Sequence, residues 1–170
     1  RWKLIDDGNA PGSPTSLPSP GLIYDEGRNE MLLFGQGVWR RTPSAWQRIT
    51  PIGISPVQGT GYSPTYGPLV FGSGSLGRWT GTSLVAFGGG IENTGVTFTF
   101  DVARQKGIAL GTPGNTWTRT FDPVTLLWSV LIQPTQTSTY SPGIVYDPSR
   151  GGVLLFGGFQ GPPSGSTGSY

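Results

Sequence analysis

Apolar runs about as long as a β-strand alternate with polar turns along this chain, and one such pattern occurs twice. SPGLIYDEGRNEMLLFG (19–35) and SPGIVYDPSRGGVLLFG (141–157) are identical at ten of 17 aligned positions. In both copies an apolar run meets a polar turn that opens with aspartate, and a second apolar run ends in glycine. This pattern predicts a β-hairpin. Because the second run shows no polar alternation, we expect both faces of that strand to be covered.

Two looser copies of the hairpin lie between these segments. In FTFDVARQKGIALG (98–111) the aromatic residue, the aspartate and the arginine of the turn recur at Phe100, Asp101 and Arg104. YSPTYGPLVFG (62–72) occupies the remaining gap and has a shortened turn. The chain therefore contains four first hairpins, and we expect their strands to share one register.

Most first hairpins are followed by a second hairpin that contains tryptophan. These segments are GVWRRTPSAWQRI (37–49), GRWTGTSLVAFGG (77–89) and NTWTRTFDPVTLLWSVL (115–131). Two hairpins make a four-stranded antiparallel unit, and units of about 40 to 50 residues are typical of β-propeller blades. No apolar period near 3.6 extends over a helix-length window, so we expect an all-β fold. We also expect three tryptophans to occupy equivalent positions and to pack between blades: Trp39, Trp117 and Trp128.

The combination of VYDPSRGGVLLFGG (145–158) and NTWTRTFDPVTLLW (115–128) resembles the kelch repeat of galactose-oxidase-like β-propellers. The matching features are the Tyr-Asp turn, the apolar strand ending in Phe-Gly-Gly and the tryptophan-containing hairpin. The resemblance covers about residues 19–158. It implies kelch-like blades of four antiparallel strands, about three and a half in number, in an incomplete ring or a fragment of a larger propeller.

The domain organisation implied by this resemblance is a single propeller region at 1–161 and a flexible Gly/Ser/Pro tail at 162–170. The units fall at about 19–50, 59–89, 96–132 and 141–158, with an N-terminal strand within 1–8. The fourth unit has one hairpin only, which leaves a sheet edge that would aggregate if it stayed bare. We expect residues near Trp2 to Ile5, another chain or further sequence to cover the strand at Val153 to Phe156.

The residue inventory excludes several functions. The chain has no His and no Cys, which excludes the copper radical oxidase activity of galactose oxidases, as well as Ser/His/Asp and Cys/His catalysis. The net charge is only +2 and the sole adjacent basic pair is Arg40 and Arg41, so a nucleic-acid partner is not expected. No apolar run approaches the roughly 18 residues of a membrane span. We assign no cofactor, no metal ligand and no catalytic residue.

The acidic and basic residues of the turns recur with the repeat. Four aspartates occupy turn positions: Asp25, Asp101, Asp122 and Asp147. Three arginines follow at a fixed spacing: Arg28, Arg104 and Arg150. Recurrence at one structural position indicates scaffold residues that accept backbone hydrogen bonds, with arginine paired to the carboxylate or solvated. A calcium site made of aspartates and loop carbonyls is the alternative.

Departures from the repeat mark the candidate ligand-binding residues, because binding residues concentrate where a scaffold varies. Arg40 and Arg41 interrupt an otherwise neutral hairpin, and Arg78 and Trp79 lie in the least regular unit. The glycine-rich segment at 71–77 is interpreted as a loop between strands, because no helix pattern and no lysine follow it.

The leading functional hypothesis is a non-catalytic binding or assembly module, in which a rigid β-propeller scaffold contacts protein or carbohydrate. One alternative is a structural filament or coat protein completed by neighbouring copies, either as a homo-oligomer or with the remainder of a longer chain. The other is a carbohydrate-active enzyme, a lyase or glycosidase, which would need convergent carboxylates. Low charge and abundant Thr, Ser and Gly favour an extracellular or cell-surface location.

Overall fold

The computed structural model describes residues 14, 17, 19–50, 54, 56–91, 96–111, 117–132, 139–140, 143–157 and 159–160. Within these ranges the chain forms strands and turns and no helix, which confirms the predicted all-β fold. The predicted strand within 1–8 and the predicted tail at 162–170 lie outside the described residues.

The strands follow the hairpin pattern of the sequence. Their bounds are β1 Gly21–Asp25, β2 Glu30–Phe34, β3 Val38–Arg41, β4 Trp46–Thr50, β5 Val57–Ser63, β6 Gly67–Gly72, β7 Ser75–Trp79, β8 Leu84–Ala86, β9 Thr97–Asp101, β10 Lys106–Leu110, β11 Thr118–Asp122, β12 Leu127–Ile132, β13 Thr139–Tyr140, β14 Gly143–Asp147, β15 Gly152–Phe156 and β16 Phe159–Gln160.

Three sets of four strands each form an antiparallel meander, in which every strand pairs with the next one along the chain. We call β1–β4 meander one, β5–β8 meander two and β9–β12 meander three. Meanders two and three join into one eight-stranded mixed sheet through a parallel bridge between Gly59 and Phe98. Strands β14 and β15 form a hairpin that we call the terminal hairpin, and the β13–β16 pair continues its register outward.

The four first hairpins share the register expected from the sequence. Gly21 pairs with Phe34 in meander one, and Gly143 pairs with Phe156 in the terminal hairpin. Leu110 holds the corresponding position in meander three. In meander two the turn is one residue shorter, since Ser63 pairs directly with Gly67. Both the common register and the shortened turn are therefore confirmed.

The first strands of successive repeats lie side by side: β1 contacts β5, β5 contacts β9 and β9 contacts β14. Two glycines of β5 permit this arrangement. A Cβ atom at Gly59 would lie 2.4 Å from the backbone nitrogen of Phe98, and one at Gly61 would lie 2.5 Å from that of Phe100. Real Cβ atoms do not approach backbone atoms so closely, so only glycine allows β5 and β9 to lie this near each other.

The core lies between the meanders. Leu32 and Phe34 of meander one pack against Val70 and Trp79 of meander two. A second cluster joins meanders two and three: Leu69, Phe71, Leu76, Ile91, Val96, Phe98, Phe100, Ala109, Trp117 and Phe121. The strand surfaces at which neighbouring meanders meet are thus buried. This burial of apolar side chains stabilises the fold.

The expectation that both faces of the repeated second strand are covered is wrong in both copies, since Met31 leaves one face of β2 partly open and the terminal hairpin exposes Phe156. Phe34 is fully buried, whereas Phe156 at the same position is 60% exposed. The reason is that meander two packs on Phe34, while no described residue of a following repeat packs on Phe156. The sequence pattern records which face is apolar but not whether a neighbour is present.

The expectation that the three tryptophans are equivalent is also wrong. Trp39 lies in β3 and pairs with Leu33 of β2. Trp117 precedes β11, and Trp128 lies in the fourth strand of its meander. Trp128 nevertheless packs between repeats, because its ring lies 5.9 Å from that of Phe71 in meander two and its Nε1 donates to the backbone oxygen of Gly89. Inter-repeat packing therefore does not require one fixed tryptophan position.

Candidate functional site

The recurring aspartates hold the turns of the first hairpins. Asp25 Oδ1 accepts from the backbone nitrogen of Arg28 at 3.3 Å, and Asp25 Oδ2 accepts from Arg28 Nη1 at 2.7 Å. Asp101 and Arg104 repeat both bonds, at 3.0 and 2.7 Å. The carboxylates are buried and fully engaged in this way, so the scaffold interpretation of these residues is confirmed.

Two of the recurring arginines also connect one repeat to the next. Arg28 Nη2 donates to the backbone oxygen of Thr80 in meander two at 2.7 Å. Arg104 Nη1 donates to the backbone oxygen of Gly151 in the terminal hairpin at 3.3 Å. The arginine therefore neutralises the turn aspartate and stabilises the contact between neighbouring repeats.

The pKa values of the two more exposed turn aspartates, Asp122 and Asp147, lie below the ordinary value. A hydrogen bond from Lys106 Nζ at 2.6 Å is the main cause that lowers the pKa of Asp122, with a second bond from the backbone nitrogen of Val124. The hydroxyl of Ser149 is the main cause that lowers the pKa of Asp147, followed by Arg150. Hydrogen bonds to the ionised carboxylate favour that form, so neither group is suited to act as an acid near neutral pH.

A cavity of about 560 Å³ opens at the turn end of meanders one and two. Its volume lies in the range of sites that hold small ligands. The first-hairpin turns and the end of β7 bring together residues that are far apart in sequence: Asp25, Arg28, Tyr62, Tyr66, Arg78 and Trp79. Two of the four predicted ligand-binding residues, Arg78 and Trp79, thus share one cavity.

Arg78 and Trp79 differ in what they contribute to this cavity. The Arg78 guanidinium lies 5.4 Å from the ring centre of Phe87 and forms no ion pair with any described residue. The ring of Trp79 is buried and meets Phe34 edge to face at 5.9 Å. Trp79 therefore supports the cavity wall from the core, and Arg78 supplies an unneutralised positive charge.

The other two predicted residues lie outside this cavity. Arg40 donates from Nε to Glu30 within meander one. Arg41 donates to the backbone oxygens of Thr42 and Ala45 and so stabilises the turn between β3 and β4. Both guanidinium groups are engaged inside their own hairpins, and their role in binding stays a prediction.

A second cavity, of about 580 Å³, is lined jointly by the first strands β1, β5, β9 and β14. Each of these strands presents an aromatic residue immediately before its turn: Tyr24, Tyr62, Phe100 and Tyr146. Glu26 is the one acidic residue among the described residues of this lining. The cavity follows directly from the side-by-side arrangement of the first strands.

Sequence reasoning did not single out Tyr62 and Gly67, which line the site, or Ser63 beside them. The shortened turn concealed them, since alignment with the full-length hairpins is ambiguous until the strand pairing is known. With that pairing, Ser63 stands where Asp25 stands in meander one, and Gly67 stands where Glu30 stands. The strand pairing therefore identifies two positions at which meander two lacks the carboxylates of meander one.

In the described part of the chain, no group of three or more His, Cys, Asp or Glu side chains is placed to hold a metal ion. Within the same residues, no helix is long and apolar enough to cross a membrane.

Comparison with known proteins gives no assignment: no family model matches the chain, and no curated protein matches it at significance.

Proposed function

We propose that this chain is a non-catalytic binding module whose meanders and terminal hairpin are kelch-like blades of one β-propeller. The blade interpretation is supported by the repeated antiparallel meander and by the first strands that lie side by side around a shared cavity. The Asp-Arg turns that bridge consecutive repeats support it further. In such a fold, ligands bind to loops and cavities on a rigid frame.

The ligand of this module is a molecule that carries a carboxylate, and one comparison inside the chain supports this proposal. Arg40 pairs with Leu32 across the strands, and Arg78 pairs with Leu69 at the equivalent position of meander two. Arg40 is neutralised by Glu30, but Gly67 stands at the Glu30 position of meander two. Meander two therefore has the arginine without the acidic partner that meander one has.

The charge balance of the cavity follows from this difference. Arg28 is already paired with Asp25, so Arg78 leaves the described cavity lining with one positive charge in excess. A planar carboxylate matches a guanidinium in shape as well as charge. Tyr62 Oη accepts from the backbone nitrogen of Gly27 at 2.8 Å and keeps its hydrogen to donate to a ligand. A hydroxyl-rich acid, such as a uronic acid, satisfies both groups.

The test is a titration of ¹⁵N-labelled protein with D-glucuronate, followed by NMR. We expect saturable shift changes at Arg78 Nε–H and at the backbone amides of Thr65 and Tyr66, and none with D-glucose, which lacks the carboxylate. R78Q should weaken glucuronate binding at least about tenfold, because it keeps a polar side chain but removes the charge and the two-pronged guanidinium donor.

R119Q is the matched control for this titration. The Arg119 guanidinium also lies over an aromatic ring, that of Trp117 at 4.6 Å, but the residue is in meander three and outside the cavity. Equal binding of glucuronate by wild-type protein and R78Q would overturn the proposal, as would equal shifts with glucose. Tighter binding of an N-acetyl-glutamyl peptide than of glucuronate would assign the carboxylate to a protein partner.

The enzymatic alternative has less support from this cavity. Hydrolysis of a glycosidic bond generally needs two carboxyl groups that face each other across the sugar. Asp25 is the one carboxylate among the described residues that line the cavity, and its oxygens are engaged by Arg28. A binding module therefore accounts for the site with fewer requirements.

A further inference from the structure

The first and last of the described repeats each expose an apolar face. The first face lies on meander one and consists of Leu22, Tyr24 and Met31, and we call it the leading face. The second lies on the terminal hairpin and consists of Val145, Leu154 and Phe156, and we call it the trailing face. Exposed apolar patches on sheet faces are typical of protein interaction sites.

The interior of the chain shows what covers a trailing face. Leu154 and Phe156 are equivalent in register to Leu32 and Phe34 of meander one. Both of these interior residues are fully buried against meander two, where the ring of Phe34 meets that of Trp79 at 5.9 Å. A trailing face is therefore buried by the leading side of the next repeat.

The interior also shows what covers a leading face. Phe98 and Phe100 of meander three are equivalent in register to Leu22 and Tyr24. Phe98 is 1% exposed because it stacks on Phe71 of meander two at 5.9 Å, whereas Leu22 is 54% exposed. The two exposed faces are thus the two halves of an interface that the chain already forms internally.

The third arginine of the series, Arg150, provides polar evidence for the same contact. Arg28 and Arg104 each donate to a backbone oxygen of the following repeat. Arg150 is largely exposed and donates from its side chain only to Asp147 among the described residues. In a following repeat, the oxygen equivalent to that of Gly151 belongs to the residue before the second strand, which is Asn29 in meander one.

We propose that two copies of this chain associate head to tail, with the trailing face of one copy docked on the leading face of the other. Head-to-tail contacts use two different surfaces and either close into a ring or continue as a polymer. The described part of each chain contains four first hairpins, so a closed pair of copies would contain eight, the upper limit of the usual four to eight propeller blades. Arg150 of one copy then donates to a backbone oxygen of meander one in the other copy, either that of Asn29, as Arg104 does to Gly151, or that of Thr42, as Arg28 does to Thr80.

This association goes beyond the proposed ligand binding, which a monomer can perform equally well. Glucuronate binding by a strictly monomeric protein would therefore overturn the association alone. Association of a protein that ignores glucuronate would overturn the ligand proposal alone.

The experiment uses one blocking variant for each face and measures the mass of the particles in solution by sedimentation. L22E blocks the leading face and F156E blocks the trailing face. Wild-type protein should sediment as a dimer or larger assembly. Each variant alone should be monomeric, because every head-to-tail contact would then contain one charged face. An equimolar mixture should form a one-to-one heterodimer, since L22E retains a trailing face and F156E retains a leading face.

V124E is the control, because Val124 is 81% exposed in the turn between β11 and β12 and belongs to neither face. It should assemble like wild-type protein, and all variants should keep the wild-type circular dichroism spectrum. Monomeric wild-type protein at high micromolar concentration would overturn the proposal. So would assembly of either single variant, or a mixture of the two that stays monomeric.

Discussion

Arg28 and Thr80 are 52 residues apart in sequence, yet Arg28 Nη2 donates to the Thr80 backbone oxygen at 2.7 Å. The same guanidinium neutralises Asp25, whose side chain is buried at the end of β1. A single side chain thus closes a turn in one repeat and holds the next repeat in place. Because Asp25 is shielded from water, loss of Arg28 would leave a buried carboxylate without its counter-charge.

Replacement of Arg28 by alanine should destabilise the protein by about 2 to 3 kcal/mol, since it removes a charged hydrogen bond and leaves the buried Asp25 without its counter-charge. R150A removes the equivalent residue of the terminal hairpin, where the side chain is largely exposed, and should cost clearly less. Urea unfolding at a protein concentration too low for association compares the two. Equal losses would show that the bridge to Thr80 contributes nothing.

Replacement of Phe34 by alanine should cost about 3 to 5 kcal/mol, because the ring is fully buried between meanders one and two. F156A is the matched control at the same register position, where the ring is 60% exposed. In dilute monomer it should change the free energy of unfolding by less than about 1 kcal/mol. A large loss for F156A in the monomer would mean that the terminal hairpin is covered from within the chain.

Replacement of Gly61 by alanine should destabilise the contact between β5 and β9 by about 1 to 3 kcal/mol, because the added Cβ would lie 2.5 Å from the backbone nitrogen of Phe100. Backbone amide exchange should accelerate in both strands as they separate. Gly89 is the control, since a Cβ there meets nothing within 4 Å. If G61A is as stable as G89A, the two strands are farther apart than described.

The stability of the protein should fall at acidic pH partly through Asp122, whose pKa is held below its ordinary value of 3.8 by the bond from Lys106. A carboxylate with a lowered folded pKa stabilises the fold above its unfolded pKa, and this contribution is lost as pH falls through the folded pKa. The stability difference between wild-type protein and D122N should therefore be constant near neutral pH and shrink below 3.8.

The K106M variant checks the cause of this titration. It should raise the pKa of the Asp122 carboxyl toward 3.8, as followed by the carboxyl ¹³C resonance, because the strongest hydrogen bond to the ionised form is lost. An unchanged pKa in K106M would assign the shift to the backbone nitrogens of the turn instead.

The sequence alone was sufficient to predict the hairpins, their register and the roles of the turn residues. The strand-turn-strand pattern is local, so the sequence pattern is enough to assign Asp25 and Asp147 to turns and to align Phe34 with Phe156. Pairing of the arginines with these aspartates was also predictable, because the two residues are three apart in the same turn.

Only the tertiary structure decided which apolar faces are covered and which charges remain unpaired. Phe34 and Phe156 have the same local sequence pattern, but their burial depends on whether another repeat packs against them. Arg40 and Arg78 both look like free cations in the sequence, yet the pairing across strands gives Glu30 to the first and Gly67 to the second. Burial and charge compensation depend on neighbours that are distant along the chain, and these are determined by how the repeats pack together.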